Sequence, residues 1–125
     1  MLVVIAIIGL LASVVLLALS GARAKSRDAA RIADVREIAS AMELFFNDYN
    51  SYPTLAVTVS DGSKAPWGLT PTYIGVWPIA PTPVDGNCTT GGSGNNAFQF
   101  TPAGTNTATT YTLGFCLGGL GGICF

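Results

Sequence analysis

Histidine is absent from this 125-residue sequence, and charged residues are scarce: six basic and seven acidic side chains make up 10% of the chain. Typical soluble domains carry about 25% charged residues. Without histidine, and with so few carboxylates, most acid–base, metal-binding and nucleophilic-triad chemistries lack the residues they ordinarily use. The net charge of −1 provides no basic face for nucleic acid. We therefore expect no enzyme activity, no cofactor or metal ion, and no nucleic-acid partner.

The charges that are present divide the chain into three regions. Residues 1–22 contain no charged side chain, whereas residues 23–48 contain ten of the thirteen. The other three, Asp61, Lys64 and Asp85, serve the 77 residues from position 49 to the end. We expect an apolar segment over 1–22, a charged segment over 23–50 and a nearly neutral domain, rich in Gly, Thr and Pro, over 51–125.

The apolar segment, residues 1–22, is long enough to cross a membrane. As a helix it reaches roughly 33 Å, against a hydrocarbon core of about 30 Å. The pattern therefore predicts a transmembrane helix. A cleaved secretory signal peptide is the alternative, with Ser20 and Ala22 near the cleavage point. Against it, the run lacks a basic start and exceeds the usual apolar core of ~7–15 residues.

Region 23–50 is predicted to continue the same helix, giving one helix of nearly 50 residues. No proline or glycine interrupts it, and turn formers with Pro53 end it. Steps of three and four between apolar residues indicate an amphipathic helix that packs on the C-terminal domain. The stripe comprises Ile32, Val35, Ala39, Met42, Phe46 and Tyr49, widened by Ile38 and Phe45. Arg31 and Asp34 lie on the polar face, as candidates for ion pairs between neighbouring subunits.

Region 51–125 has the pattern of strands and loops. Alternating residues over 54–59, 98–100 and 110–117 predict short strands, which would form a small antiparallel sheet against the amphipathic helix half. The fold class is therefore α+β. A loop over 66–83 is rich in Pro and Trp, and Asp61 and Asp85 are interpreted as turn residues.

Three cysteines, Cys88, Cys116 and Cys124, can stabilise this thin domain. A single disulfide would contribute about 2–4 kcal/mol in an extracytoplasmic environment. We favour a bond that involves Cys116, because it lies on a well-defined strand; Cys88 and Cys124 are both possible partners. Three thiols without histidine or a CxxC spacing match no common zinc site.

The N-terminal sequence LVVIAIIGLLA, residues 2–12, is followed by the long amphipathic helix and by a Tyr-Pro-Thr exit at 52–54. In these three features the chain resembles the type IV pilin and type II secretion pseudopilin family. The resemblance implies a pilin-like fold and a structural subunit that polymerises into a helical extracellular filament. The subunit would wait in the inner membrane, and its partners would be further copies of itself, the pilus assembly machinery and prepilin peptidase. The helix would form the filament core through Leu2, Val3, Val4, Ile5, Ile7, Ile8, Gly9, Leu10, Leu11, Val14, Val15, Leu16 and Leu17, with Gly9 as its flexible point.

The sequence departs from the family pattern in several features. It shows neither the basic leader nor the early glutamate that the family uses in assembly. Met1 is therefore interpreted as an internal methionine of a longer precursor, whose leader would supply the basic residues that set the orientation in the membrane. The proline that many pilins carry within the span is absent. The acidic loop that binds calcium in major pseudopilins is also missing, so no calcium site is expected.

Two other interpretations remain alternatives. The chain could be a pseudopilin of a type II secretion system. It could instead be a monomeric single-span membrane protein with a small extracytoplasmic binding domain, in which case the loop over 66–83 would be the natural binding site.

Overall fold

The computed structural model describes residues 1–54, 57–59, 68–86, 88, 97–104, 108–118 and 123–124, the backbone alone at 57–59 and 123–124. Its first element is a single helix, α1, at Leu2–Tyr49, which confirms the predicted helix of nearly 50 residues. Asn50 ends the helix in the left-handed conformation, with φ of 52°, and its N–H donates to the Phe46 carbonyl at 2.7 Å. Asparagine tolerates this conformation better than most residues do.

Short antiparallel strands follow the helix, so the α+β class is confirmed. The strands β1 (Val57–Val59), β2 (Phe98–Ala103) and β3 (Thr110–Gly114) form one sheet in the order β1-β2-β3. Phe100 of β2 lies opposite Val57 on one side and Leu113 on the other. A second pair joins β4 (Cys116–Leu117) to β5 (Ile123–Cys124).

The strand predictions needed three adjustments. The strand expected over 110–117 is divided at Phe115, where it passes from the first sheet to the second pair. The strand expected from Thr54 begins at Val57, and residues 55 and 56 lie outside the described ranges. Strand β5 was not predicted, because its two residues in a glycine-rich tail are too few to show an alternating pattern.

The hydrophobic core lies between the amphipathic half of α1 and the first sheet, as predicted. The segment between β1 and β2, of which residues 68–86, 88 and 97 are described, is called the long loop. Ile38 and Met42 from α1, Trp77 from the long loop, and Phe98 and Phe100 from β2 are all at most 1% exposed. The position of the buried helix face differs from the predicted stripe. The outer members of that stripe are half-buried or exposed, and Ala41, outside it, is buried. The buried face is centred on Ile38, Met42 and Phe45 because the sheet and the long loop approach the helix from that side.

A disulfide joins Cys88 in the long loop to Cys116 in β4, with the two Cα atoms 5.9 Å apart. This bond resolves the choice that the sequence left open. Cys124 lies directly opposite Cys116 in the β4–β5 pair, so the strand neighbour of Cys116 differs from its covalent partner. The bond spans 28 residues, and closing such a loop stabilises a domain by about 2–4 kcal/mol.

Candidate functional site

The first half of α1 presents apolar side chains on all its sides. In the described part of the chain, α1 is the one helix long and apolar enough to cross a membrane, and no residue of its most apolar window is buried. The large apolar residues that the sequence singled out between positions 2 and 17 are all at least 52% exposed. Gly9 is exposed as well, and the helix continues through it without a break. A contiguous apolar surface of this extent requires cover from lipid or from other proteins.

Charged residues begin where this apolar surface ends, and the first of them to contact the C-terminal domain is Arg27. Its Nε donates to Oδ2 of Asp85 and its Nη2 to Oδ1, both at 2.5 Å. The geometry is bidentate, which gives strong and well-oriented hydrogen bonds. The hydrogen bonds from Arg27 hold the pKa of Asp85 below its ordinary value, and burial opposes that shift only in part. Asp85 is therefore more than the turn residue that the sequence indicated.

Arg31 lies one turn further along α1 and is buried, with 1% of its surface exposed. Its Nη1 donates to Asp28 Oδ1 at 2.7 Å, and its Nη2 donates to the Pro81 carbonyl at 3.1 Å. The expectation that Arg31 lies on the exposed polar face is wrong, because its guanidinium is held inside its own chain. Its pairing between subunits stays a prediction. Burial of this cation is tolerated because a carboxylate and a carbonyl accept its hydrogen bonds.

Gly118, directly after β4, also contacts this group of residues. Its N–H donates to Asp28 Oδ1 at 3.1 Å. A Cβ atom at this position would collide with the backbone and the Cβ of Asp85. Only glycine allows this close approach. We call Arg27, Asp28, Arg31, Asp85 and Gly118 the junction cluster, since it joins the helix, the long loop and the C-terminal strands.

The junction cluster was not found from the sequence, although one signal for it was present. Asp85 is one of three charged residues in the last 77, and an isolated charge in a neutral domain calls for a partner. Its partner lies 58 positions away on α1. That pairing follows from the path of the long loop, which runs back along the helix and cannot be inferred from local pattern.

Two tyrosines attach the C-terminal end of α1 to the segments that follow it. The Tyr52 hydroxyl donates to Glu43 at 2.8 Å, and the Tyr73 hydroxyl donates to Asp48 at 2.5 Å. Burial, followed by the hydrogen bond to Glu43, raises the pKa of Tyr52 to about 12. The hydrogen bond to Asp48, followed by burial, raises the pKa of Tyr73 to about 12. Both phenols therefore stay protonated and donating at neutral pH.

Asp34 takes no part in the junction cluster. It is half-buried at the edge of the exposed face, and burial and the neighbouring Glu37 raise its pKa. None of the ion pairs given for the described residues includes it. Of the two residues proposed for contacts between subunits, Asp34 alone lies where a neighbour could reach it.

The monomeric alternative would use the loop over 66–83 as its binding site. Trp77 of this loop is buried in the core, whereas Val76 and Ile79 are exposed. Pro66 and Trp67 lie outside the described residues. Within the described ranges, no group of three or more acidic or cysteine side chains is placed to hold a metal ion.

Comparison of the chain with protein-family models, with curated proteins and with solved structures finds no match.

Proposed function

We propose that this chain is a structural subunit that polymerises into a helical, type IV pilus-like filament through its N-terminal helix. The observation that carries the proposal is the contrast within α1. One face of its second half is covered by the chain's own domain, whereas its first half is exposed on every side. In the membrane, lipid would cover that surface, and in a filament the same helices of neighbouring subunits would replace the lipid. Since lipid tails are as apolar as leucine, the exchange changes the hydrophobic free energy little.

The continuity of α1 supports assembly over simple anchoring. No turn or loop separates the apolar half from the half that holds the domain, and the junction cluster fixes the domain to α1 from Arg27 onward. The apolar half therefore projects from the domain as a rod in a defined direction. A flexible tether would be sufficient to anchor a monomer, but regular packing of helices requires each domain to be oriented by its helix.

The surface of the C-terminal domain gives further support. Besides its low charge, it exposes Val76, Ile79 and Val84, which are 74%, 56% and 38% exposed. Contact with a neighbouring subunit would cover these side chains. A pseudopilin of a type II secretion system would use the same helix in the same way. The single-span monomer remains the competing proposal, and the experiment below separates it from a subunit.

The test is to express the chain behind a family-type leader in a bacterium that has pilus assembly machinery. Surface filaments are sheared off and identified by immunogold electron microscopy. We expect labelled filaments in the sheared fraction. If the chain is recovered solely as dispersed particles from the membrane fraction, in a strain whose own pilins assemble, the proposal is wrong and the monomeric alternative is favoured.

A matched pair of variants controls this test. Leu10→Lys places a charge in the middle of the apolar half, where it costs about 2.5–3.5 kcal/mol in a membrane, and should abolish filaments. Leu10→Ala keeps the segment apolar and should retain them. Membrane fractionation of both variants shows whether a missing filament reflects failed assembly or failed insertion.

A further inference from the structure

The outward side of the amphipathic half of α1 carries opposite charges along its two edges. Lys25 and Arg36 lie eleven residues apart on one edge, and Glu37 and Asp48 lie eleven residues apart on the other. Eleven residues are about three turns, so each pair follows one line along the helix. At about 100° per residue the two lines are roughly 120° apart. All four side chains are exposed.

The surface between these two edges consists mostly of small side chains, and we call it the outer strip. Its members are exposed, and the C-terminal domain packs on the opposite side of the helix. Small residues allow the backbones of two helices to approach closely. The outer strip comprises Ser26, Ala29, Ala33 and Ser40, followed toward the C-terminal end by the larger Leu44 and Asn47, which are also exposed.

Among the residues that the structure describes, no ion pair compensates the charges on the two edges. Among the described residues, the ion pairs join Arg27 and Arg31 to the junction cluster, and none includes Lys25, Arg36 or Glu37. Asp48 accepts a hydrogen bond from the neutral Tyr73 hydroxyl, which leaves its charge without a cation. Among the described basic residues, Arg27 and Arg31 therefore have intramolecular ion-pair partners. Arg23, Lys25 and Arg36 are exposed and belong to none of these ion pairs.

Two other carboxylates, Asp34 and Glu43, lie near these edges. Asp34 lies beside Glu37 on the acidic edge and adds negative charge there. Glu43 lies beyond Arg36 on the basic edge, but it accepts the hydrogen bond of Tyr52 and is directed to the C-terminal domain. The basic edge therefore presents Lys25 and Arg36 toward the N-terminal end of the amphipathic half, and the acidic edge presents its carboxylates toward the C-terminal end.

We infer that the basic edge of α1 contacts the acidic edge of the same helix in a second copy, displaced along the axis by twelve residues, about 18 Å, with the outer strip beside the contact. Lys25 then faces Glu37 of the second copy, and Arg36 faces Asp48 of the second copy. Because the cations and the anions have the same spacing, one displacement satisfies both pairs. The inference deepens the proposed function and rests on it, since it names the helix surface through which the subunits would associate.

The sign difference between the edges also determines the type of assembly. An antiparallel two-fold dimer would place like charges close together, and a parallel two-fold dimer would pair Arg36 with Glu37 but leave Lys25 and Asp48 without a counter-charge. Here the basic edge of one copy contacts the acidic edge of the next, which is a heterologous contact. Such contacts leave an unused edge at each end and generate rings or open helical arrays rather than closed dimers.

Cysteine cross-linking tests the displacement directly. We expect the Lys25→Cys/Glu37→Cys chain, treated with a short bis-maleimide in membranes and in sheared filaments, to give a ladder of dimers, trimers and larger species. Either single substitution should give no more cross-linked product than the parent chain, which reports the background from its own cysteines. The Lys25→Cys/Ala33→Cys chain is the matched control, because its second cysteine lies about one helical turn N-terminal to position 37.

The outcomes separate this inference from the proposed function. Filaments without a ladder would overturn the displacement while the proposed function stands. A ladder in membranes without any filament would support the helix contact and count against the proposed function. Dimers from either single-cysteine chain would indicate a two-fold contact and overturn the inference, as would a ladder of equal strength from the Ala33 control.

A charge exchange tests the same contact without cysteines. Lys25→Glu places a like charge opposite Glu37 of the second copy, and Glu37→Lys places a like charge opposite Lys25 of the neighbouring copy. Each should lower the yield of multimers trapped by a photoreactive residue at Ala33 by roughly tenfold. The chain with both substitutions, and a mixture of the two single variants, should return to within about twofold of the parent. Equal yields from all these chains would overturn the inference, and circular dichroism confirms that each variant is folded.

Discussion

The two halves of α1 share one backbone but differ in what covers their side chains. Over residues 2–22 no part of the most apolar window is buried, whereas the second half buries Ile38, Ala41 and Met42 against the sheet. The helix itself, Leu2–Tyr49, is continuous across the boundary. The comparison shows that the backbone supplies a rigid rod, and that the side chains alone divide it into a part stabilised within the chain and a part that requires external cover.

The cations of the second half repeat this division on a smaller scale. Arg27 and Arg31 point to the domain and bind Asp85 and Asp28, while Arg36 is exposed on the other side of the helix. These basic residues cannot be told apart by type. Their position around the helix axis decides which of them stabilises the fold and which is available to a neighbour.

The largest effect should separate the core that covers the second half of α1 from the apolar first half by their contribution to stability. Phe100→Ala removes a side chain that is 1% exposed and should lower the free energy of unfolding of the domain by about 3–5 kcal/mol. Leu10→Ala, in the apolar half, should leave that free energy unchanged. Denaturant titration in detergent micelles, followed by tryptophan fluorescence, measures both. An equal loss in the two variants would show that the apolar half packs on the domain.

The second prediction compares buried and exposed arginine. Arg31→Ala leaves Asp28 buried without its cation and should destabilise the domain by about 3 kcal/mol. Arg36→Ala removes an exposed side chain and should change stability by no more than about 0.5 kcal/mol. The same denaturant titration reports both variants. A small effect for Arg31 would mean that the junction cluster does not attach the domain to the helix.

The third prediction compares two glycines. In Gly118→Ala the new methyl group would displace the backbone at Asp85, which should cost about 1–3 kcal/mol. Gly75→Ala adds a methyl group at a position with no neighbouring atom within 4 Å, so its effect should stay within about 0.5 kcal/mol. Thermal unfolding followed by circular dichroism would measure the difference. Equal melting temperatures would contradict the close contact between Gly118 and Asp85.

The smallest effect concerns pH. The pKa values of Tyr52 and Tyr73 rise from 10.0 to about 12 in the folded chain. A raised pKa means that the folded state favours the protonated phenol, so this stabilisation is complete below pH 10 and is lost as the pH rises toward 12. The chain with Tyr52→Phe and Tyr73→Phe should show a weaker loss of stability over that range. An unchanged slope between pH 10 and 12 would contradict the role of both hydroxyls.

Local pattern was sufficient for the elements and insufficient for their contacts. The absence of proline and glycine between Arg23 and Tyr49 predicted an uninterrupted helix, and alternation at Phe98 and Phe100 predicted a strand. The position of Arg31 was predicted wrongly, because the polar face was assigned on the assumption that charged side chains lie in solvent. A carboxylate on the same helix and a carbonyl from the distant long loop make its burial possible, and helical periodicity contains no information about that loop.

The sequence by itself determined the long helix, its apolar first half, the α+β class and the scarcity of charge, because these depend on residue type and spacing along the chain. Tertiary structure alone decided that Cys88 bonds to Cys116, that Asp85 binds Arg27 and that Arg31 lies inside. These pairings join residues far apart in sequence. Their geometry depends on where the long loop and the sheet meet the helix, and the packing of the whole domain sets that position.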